Sequence, residues 1–180
     1  EALHEYATWK GLANFTLATH DMGDSIGLIF LQLFAKVHRL LHHVVINGSL
    51  KLSYANITAM QKLLLNDNTG EIVEKLIPPK LLAQSMSHEL FSPPAGFEYG
   101  QELTAVFNYQ HGVAIFHDTI QYLNERAEHE DEWLEVWGNS TVPCSLVWGE
   151  LDPVATPALG DFLWENVLSN RSSAPARYVK

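Results

Sequence analysis

The pattern of apolar and polar positions predicts strands that alternate with helices. Residues 13–20 (ANFTLATH) are rich in β-branched and aromatic side chains, as strands are, and residues 26–37 carry apolar side chains at helical spacing. Further strands are predicted in LLHHVVING, VPCSLVWGELDP and ARYVK. Strands separated by helices pair in parallel, and strands that are apolar on both faces indicate a sheet covered on both sides. The predicted fold class is therefore α/β, with a parallel sheet and flanking helices.

The pattern becomes helical between residues 50 and 139. Helical spacing occurs in ITAMQKLLL, EIVEKLI, LLAQSMSHELF, QELTAVF and the long stretch after His111, and the proline segments IPPK and SPPAG interrupt it. An all-helical insert of about 90 residues is therefore predicted. Within it, residues 125–135 (ERAEHEDEWLE) are predicted to form a solvated helix face because they are dense in charge.

Composition and charge narrow the classes of partner. The net charge is −10, from 11 basic and 21 acidic residues, and no cluster of Lys or Arg occurs, so no nucleic-acid partner is predicted. The single cysteine, Cys144, excludes an internal disulfide framework and is predicted to be an inert core thiol. The adjacent His42 and His43 point to opposite faces of a strand, and no phosphate-binding loop is present. No metal or cofactor is predicted.

Residues 19–23 (THDMG) lie where a predicted strand meets a predicted helix. They follow the order small–x–nucleophile–x–small of a nucleophile elbow, a sharp turn that presents a side chain at the carboxyl end of a strand. In this arrangement Asp21 is the candidate nucleophile, and the backbone N–H of Met22 is the candidate oxyanion donor. The other hypothesis is that Asp21, like Asp24 or Ser25, only caps the helix.

A second acid follows the strand predicted in LVWGELDPVATP. Asp152 comes three residues after Gly149 and directly before a proline, where an elbow enzyme keeps the acid that orients its histidine. An Asp-Pro pair also commonly begins a turn, which is the other interpretation of this segment. The two segments occur in the expected order with helices between them, and together they favour the catalytic interpretation.

A family resemblance is carried by five stretches, HDMGDSI, VVINGSL, QKLLLND, IQYLNERAEHEDEWLEVW and VPCSLVWGELDPV. They resemble the α/β-hydrolases of the branch that contains haloalkane dehalogenases and epoxide hydrolases, and most closely the mesoderm-specific transcript proteins. The resemblance implies a partial α/β-hydrolase fold, with hydrolase core in residues 1–49 and 140–180 and a helical cap in residues 50–139. It also implies a fragment that is inactive alone, because none of the nine histidines follows Asp152, where the catalytic histidine belongs.

The resemblance implies aspartate-based chemistry. An aspartate is ionised at neutral pH, so Asp21 can attack an electrophilic carbon, and a histidine oriented by Asp152 then activates water to cleave the resulting ester. Dehalogenases of this branch carry Trp after the nucleophile and fluoroacetate-type enzymes carry Arg, whereas this chain has Met22. Epoxide opening uses cap tyrosines as the acid, and Tyr122 resembles one of them.

The predicted function is therefore epoxide hydrolase-like, on a small apolar organic substrate. The alternative is a non-catalytic hydrolase-fold protein that binds a ligand or partner under its cap. A cytoplasmic location is favoured over membrane association through an N-terminal segment outside these residues. The candidate substrate-binding residues are Tyr122 and Asn47, and the weaker candidates for the acid are Tyr54, Tyr99 and Tyr109.

Overall fold

A computed structural model describes residues 1–90 and 99–180 and confirms the predicted α/β class. Four parallel strands form one sheet in the order β1-β2-β3-β4. Each coincides with a stretch that the sequence pattern predicts to be a strand, although β2 begins one residue before its predicted stretch. The strands are β1 (Asn14–His20), β2 (Arg39–Ile46), β3 (Cys144–Val147) and β4 (Ala176–Val179).

Between β2 and β3, the described residues form helices joined by turns and loops, without a strand among them, and the predicted break SPPAG lies outside the described residues. Helix α2 ends at Phe34, earlier than predicted, because Arg39 already pairs with Asn14 in the sheet. No helix in the described ranges is both long and apolar enough to cross a membrane. The helices are α1 (Ala2–Trp9), α2 (Met22–Phe34), α3 (Ala59–Leu65), α4 (Gly70–Leu76), α5 (Pro79–Leu90), α6 (Tyr99–Asn108), α7 (Phe116–Ile120), α8 (Tyr122–Asn139) and α9 (Pro157–Leu163).

The chain divides into two compact units. The first consists of Glu1–Asn56 and Arg126–Lys180 and holds the sheet, and the second consists of Ile57–Glu125. The second unit has a small core of its own, which includes Leu82, Ala83, Phe107 and Val113. The boundaries predicted for a cap, residues 50–139, stay a prediction.

In the first unit, the helices cover one face of the sheet. A single core joins apolar side chains of α2, α8 and α9 to alternate strand residues such as Val45 and Leu146. On the other face, Leu41 and Val179 are each about half exposed, at 50% and 51%. The prediction of a sheet covered on both sides is therefore wrong for the described part of this unit. The strands follow chain order, and successive right-handed crossovers then put their helices on the same face.

Candidate active site

Three of the predicted site residues lie at one edge of the sheet. Asp21 directly follows β1, Asn47 directly follows β2, and Asp152 lies in the loop after β3. Parallel pairing continues into these positions, because the N–H of Asp21 donates to the carbonyl of Ile46 at 3.3 Å and the N–H of Asn47 donates to the carbonyl of Val147 at 3.4 Å. Their common position follows from the parallel sheet, since carboxyl ends of parallel strands share one edge.

Asp21 occupies a strained turn between β1 and α2, which we call the β1–α2 turn (residues 20–23). Its backbone has φ 51° and ψ −114°, a conformation that residues with a Cβ rarely adopt. Its carboxylate accepts no capping hydrogen bond from the start of α2, and Asp24 and Ser25 lie inside the helix, buried, rather than at its cap. The contacts in the described part of the chain therefore do not support the capping hypothesis.

Close approach between α2 and the sheet depends on Gly27 rather than on Gly23, the last small residue of the elbow pattern. The elbow pattern assigns this role to Gly23, but a Cβ at Gly23 would meet its nearest neighbour, Thr19, at an ordinary 3.9 Å. A Cβ at Gly27 would lie 2.8 Å from Nε2 of His43 and 2.8 Å from Cγ2 of Thr19. Gly27, one helical turn further along α2, is the residue that lets the helix pack on β1 and β2.

We expect Gly27→Ala to lower the free energy of unfolding by about 1–2 kcal/mol, since overpacking a core commonly costs about 1–3 kcal/mol and better helix propensity returns up to about 1 kcal/mol. Gly23→Ala is the matched control in the same helix, and it should be neutral or stabilising. Urea denaturation of the two variants and the parent measures both effects. An equal response of the two variants would contradict the assignment of close packing to Gly27.

Asp152, in the loop after β3, is held by three hydrogen bonds. Its Oδ1 accepts from the N–H groups of Val154 and Ala155, both at 2.8 Å, and its Oδ2 accepts from Nδ2 of Asn47 at 2.7 Å. Oδ1 of Asn47 in turn accepts from the N–H of Gly149 at 2.8 Å. Asn47 thus bridges the loop and fixes the orientation of Asp152. A role for Asn47 in binding substrate stays a prediction.

A group of buried polar side chains lies beneath the β1–α2 turn, and the sequence did not predict it. We call it the buried polar cluster. Oγ1 of Thr19 lies 3.1 Å from Nε2 of His43, and Nε of Arg126 donates to Oγ of Ser25 at 2.9 Å. All five members are buried in the first unit, and they are Thr19, Asp24, Ser25, His43 and Arg126.

Burial shifts the ionisation of two members of this cluster in opposite directions. It raises the pKa of Asp24 from 3.8 to about 7, although Thr19 and the charge of Arg126 act to lower it. It lowers the pKa of His43 from 6.5 to about 4, and the charges of His42 and Arg171 add to this effect. Both side chains are therefore held toward their neutral forms by desolvation.

Most acidic side chains of residues 125–135 are exposed, as predicted for a solvated helix face, but Arg126 does not belong to that face. Its side chain has no exposed surface, and Trp133 and Trp137 on the same helix lie in the core of the first unit. A signal for this burial was present in the spacing. Arg126 precedes Trp133 by seven residues and Trp137 by eleven, which places all three on one face of a helix.

The candidate tyrosines are distributed over both units. Tyr122 begins α8 and is partly buried in the second unit, and Tyr109, also in that unit, is 71% exposed. In the first unit, Tyr54 stacks on Phe162 with ring centroids 4.4 Å apart, a packing contact. The side chain of Tyr99 lies outside the described residues. A substrate-binding role for Tyr122 stays a prediction.

The remaining predictions concern the thiol and metals. Cys144 is buried, as predicted, and burial raises the pKa of its thiol. His43 points into the core while His42 bonds Oγ of Ser145 at 2.9 Å, in line with the predicted opposite faces. Among the described residues, no group of three or more metal-ligating side chains is arranged to hold an ion.

Several known proteins are similar to this chain in sequence or in structure. No family model matches the chain. LipZ of Mycobacterium tuberculosis, which is named as a hydrolase, is 31% identical over 142 residues, which make up 76% of this chain and 49% of LipZ. The chain thus spans about half the length of the curated relatives that it matches.

Solved structures match over nearly the whole chain. A mutant of the haloalkane dehalogenase DatA from Agrobacterium tumefaciens C58 aligns with a TM-score of 0.70 and 14% identity, over 98% of this chain and 62% of that one. A hydrolase from Pseudomonas aeruginosa PA01 aligns with a TM-score of 0.62 and 12% identity, over 99% of this chain and 61% of that one. The chain therefore has an α/β-hydrolase fold, and its named relatives are hydrolases.

Proposed function

We propose that this chain carries the nucleophile and the orienting acid of an α/β-hydrolase that forms a covalent ester on Asp21, with an epoxide-like small apolar molecule as its substrate. The observation that carries the proposal is the backbone of Asp21. A non-glycine residue held at φ 51° between a strand and a helix stores about 1–3 kcal/mol of strain, and strained positions of this kind concentrate at functional sites.

The first step of the proposed reaction is an attack on carbon. One carboxylate oxygen of Asp21 forms a bond to a ring carbon of the epoxide, the bond between that carbon and the ring oxygen breaks, and the ring oxygen leaves as an alkoxide. An acid must then supply a proton to the alkoxide, and Tyr122 is the proposed donor by its resemblance to cap tyrosines. The product of this step is an alkyl ester of Asp21.

The second step is hydrolysis of that ester. Water attacks the ester carbonyl carbon of Asp21 while a histidine takes its proton, and the bond from that carbon to the alkyl oxygen then breaks. The histidine returns the proton to the alkyl oxygen, so the diol departs. The carboxyl group of Asp21 releases a proton as the carboxylate is restored, which replaces the proton that Tyr122 donated. The developing oxyanion needs a donor, and Met22 supports this role because it is the first residue of α2, where backbone N–H groups have no acceptor within the helix. Asp152, held by Asn47 and by two N–H groups, is the proposed orienting acid.

The choice of an epoxide rests on the residue that follows Asp21 in the sequence. Carbon–halogen cleavage needs side-chain donors for the departing halide, and Met22 offers none. The finer resemblance, to the mesoderm-specific transcript proteins, is also part of this proposal. The second candidate function is non-catalytic binding of an apolar ligand, which the same fold also permits.

The test isolates the first step, because ester formation needs no histidine. Incubating the 180-residue chain with styrene oxide should add one epoxide to the intact mass, and fragmentation should locate it on Asp21. The ester should persist, because no histidine follows Asp152 to activate water. Asp21→Asn should lose the label, whereas Asp161→Asn, a change of another carboxylate in the same unit, should keep it.

Two results would decide against the proposal. A label that spreads over surface carboxylates without preference for Asp21 would mean that the β1–α2 turn confers no reactivity. Reversible binding of styrene oxide without an adduct, seen as a change in tryptophan fluorescence, would favour the non-catalytic function instead.

A further inference from the structure

Arg126 reaches the backbone of Asp21 from a distant part of the sequence. Its Nη2 donates to the carbonyl oxygen of Asp21 at 3.0 Å, across 105 residues of chain, and its Nε donates to Oγ of Ser25. The same carbonyl also accepts from the N–H of Asp24 at 3.1 Å, a hydrogen bond that closes the first turn of α2. Two donors therefore converge on one oxygen of the β1–α2 turn.

The cost of placing this guanidinium indicates that its position matters. Arg126 has no exposed surface, and removing a cation from water costs several kcal/mol unless its donors are matched by acceptors. The planar fork of an arginine can hold Ser25 and Asp21 at once, which the point charge of a lysine cannot. The side chain thus ties the start of α2 to α8 by geometry as well as by charge.

The carbonyl that Arg126 binds belongs to the same peptide group as the N–H of Met22. A positive donor on the oxygen of a peptide draws electron density from its nitrogen, and hydrogen bonds in such a chain strengthen one another by about 10–30%. The contact also fixes the plane of this peptide, and hence the direction in which the Met22 N–H points. The orientation and the strength of that donor are therefore both coupled to Arg126.

We infer that Arg126 is a positioning residue, which acts through the Asp21–Met22 peptide to aim and polarise the Met22 N–H at the oxyanion that forms during ester hydrolysis. This inference rests on the proposed function, because only an ester on Asp21 gives that N–H an oxyanion to stabilise. The competing account is that Arg126 only holds α8 against α2.

Two measurements separate these accounts, and the first needs no substrate. In ¹H–¹⁵N NMR spectra of the labelled 180-residue chain, Arg126→Met should shift the Met22 amide resonance, and Arg126→Lys should shift it less in the same direction. Arg171→Met is the matched control, because Arg171 also donates to backbone carbonyls, those of Ser140 and Val142, but at the other end of β3. It should leave the Met22 resonance in place.

The second measurement follows loss of the styrene oxide ester from Asp21 by mass spectrometry at alkaline pH, where hydroxide replaces the histidine. Arg126→Met should slow ester loss about tenfold, less than the 10²–10³-fold cost of removing an oxyanion donor outright. Arg171→Met should match the parent. If Arg126→Met does not fold, Ser25→Ala, which removes the anchor of Nε, should give a smaller shift and a smaller slowing in the same directions.

A folded Arg126→Met variant with an unchanged Met22 resonance would overturn the inference and leave only the packing role. Unchanged ester loss would overturn it as well. Failure of the parent to form an ester at all overturns the proposed function instead, and the NMR comparison still reports whether Arg126 polarises the peptide.

Discussion

Replacing Asp24 with asparagine should change stability by an amount that depends strongly on pH. The difference in unfolding free energy between Asp24→Asn and the parent should shift in favour of the variant by up to about 4 kcal/mol between pH 4 and pH 8. The reason is that burial raises the pKa of Asp24 from 3.8 to about 7, and each unit of difference is worth about 1.4 kcal/mol. Asparagine stays neutral throughout this range.

The direction follows from proton linkage. Because the folded pKa of Asp24 lies above the unfolded value, its stabilising contribution is complete below about pH 4 and is lost as the pH rises through 7. The contribution of His43 to stability has the opposite pH dependence, because the folded state lowers its pKa to about 4. This contribution is present above pH 6.5 and is lost as the pH falls through 4. Between pH 4 and pH 6.5, the contribution of Asp24 to the stability of the parent falls as the pH rises, whereas the contribution of His43 increases.

Urea denaturation at a series of pH values measures the effect. The parent should show a flatter profile from pH 4 to pH 6.5 than Asp24→Asn. The stability of this variant should rise with pH, because over this range His43 is neutral in the folded state and binds a proton in the unfolded state. Asp161→Asn is the control, because a hydrogen bond from Lys180 lowers the pKa of Asp161 below its ordinary 3.8, so its titration lies almost entirely below pH 4. The difference between this variant and the parent should therefore stay nearly constant from pH 4 to pH 8. A pH-independent difference between Asp24→Asn and the parent would contradict the neutral, buried state of Asp24.

Gly48→Ala should destabilise the chain by about 3 kcal/mol, at the upper end of the usual cost of overpacking. A Cβ at Gly48 would lie 2.0 Å from Oδ2 of Asp24 and 2.8 Å from both Cβ and Cγ of that residue. Asp24 cannot move aside easily, because it is fully buried within α2. The midpoint of urea denaturation should fall accordingly.

The control is Gly149→Ala at the same edge of the sheet, where an added Cβ would meet the nearest atoms of Asn47 at 3.6 and 3.7 Å. This variant should stay close to the parent. The substitution Asp24→Ala removes the carboxylate that a Cβ at Gly48 would meet. Gly48→Ala should therefore destabilise the Asp24→Ala variant less than it destabilises the parent. Equal effects in both backgrounds would show that the clash with Asp24 is not the cause.

The strands, the parallel sheet and the turn around Asp21 could be predicted from the sequence, because they depend on local patterns. The apolar run of β1, the small residues around Asp21 and the buried stripe of α2 are each readable within a few residues. The position of Asp152 beside Asn47 follows with one further step, since consecutive parallel strands end at the same edge.

The buried polar cluster was not predicted because it depends on contacts over long sequence distances. Arg126 meets Ser25 across 101 residues and lies within an acidic stretch whose composition indicates solvent. The need for Gly27 and Gly48 was likewise invisible, because it depends on how closely two elements approach each other. Charge density alone could not separate a helix face that binds water from one that carries a single buried cation.

The order of strands in the sheet also has a consequence for how the chain folds. Strands β1 and β2 are joined through α2, whereas β2 and β3 are adjacent in the sheet but separated by a connection roughly five times longer, which costs about 1.4 kcal/mol more in loop-closure entropy. The β1–α2–β2 segment can thus form as a local nucleus, and β3 must find it late unless the intervening helices have already condensed. The strands β1 and β2 would then already be paired when β3 and the loop that carries Asp152 pack against them. The two parts of the candidate site, Asp21 and Asp152, would therefore be assembled at different times.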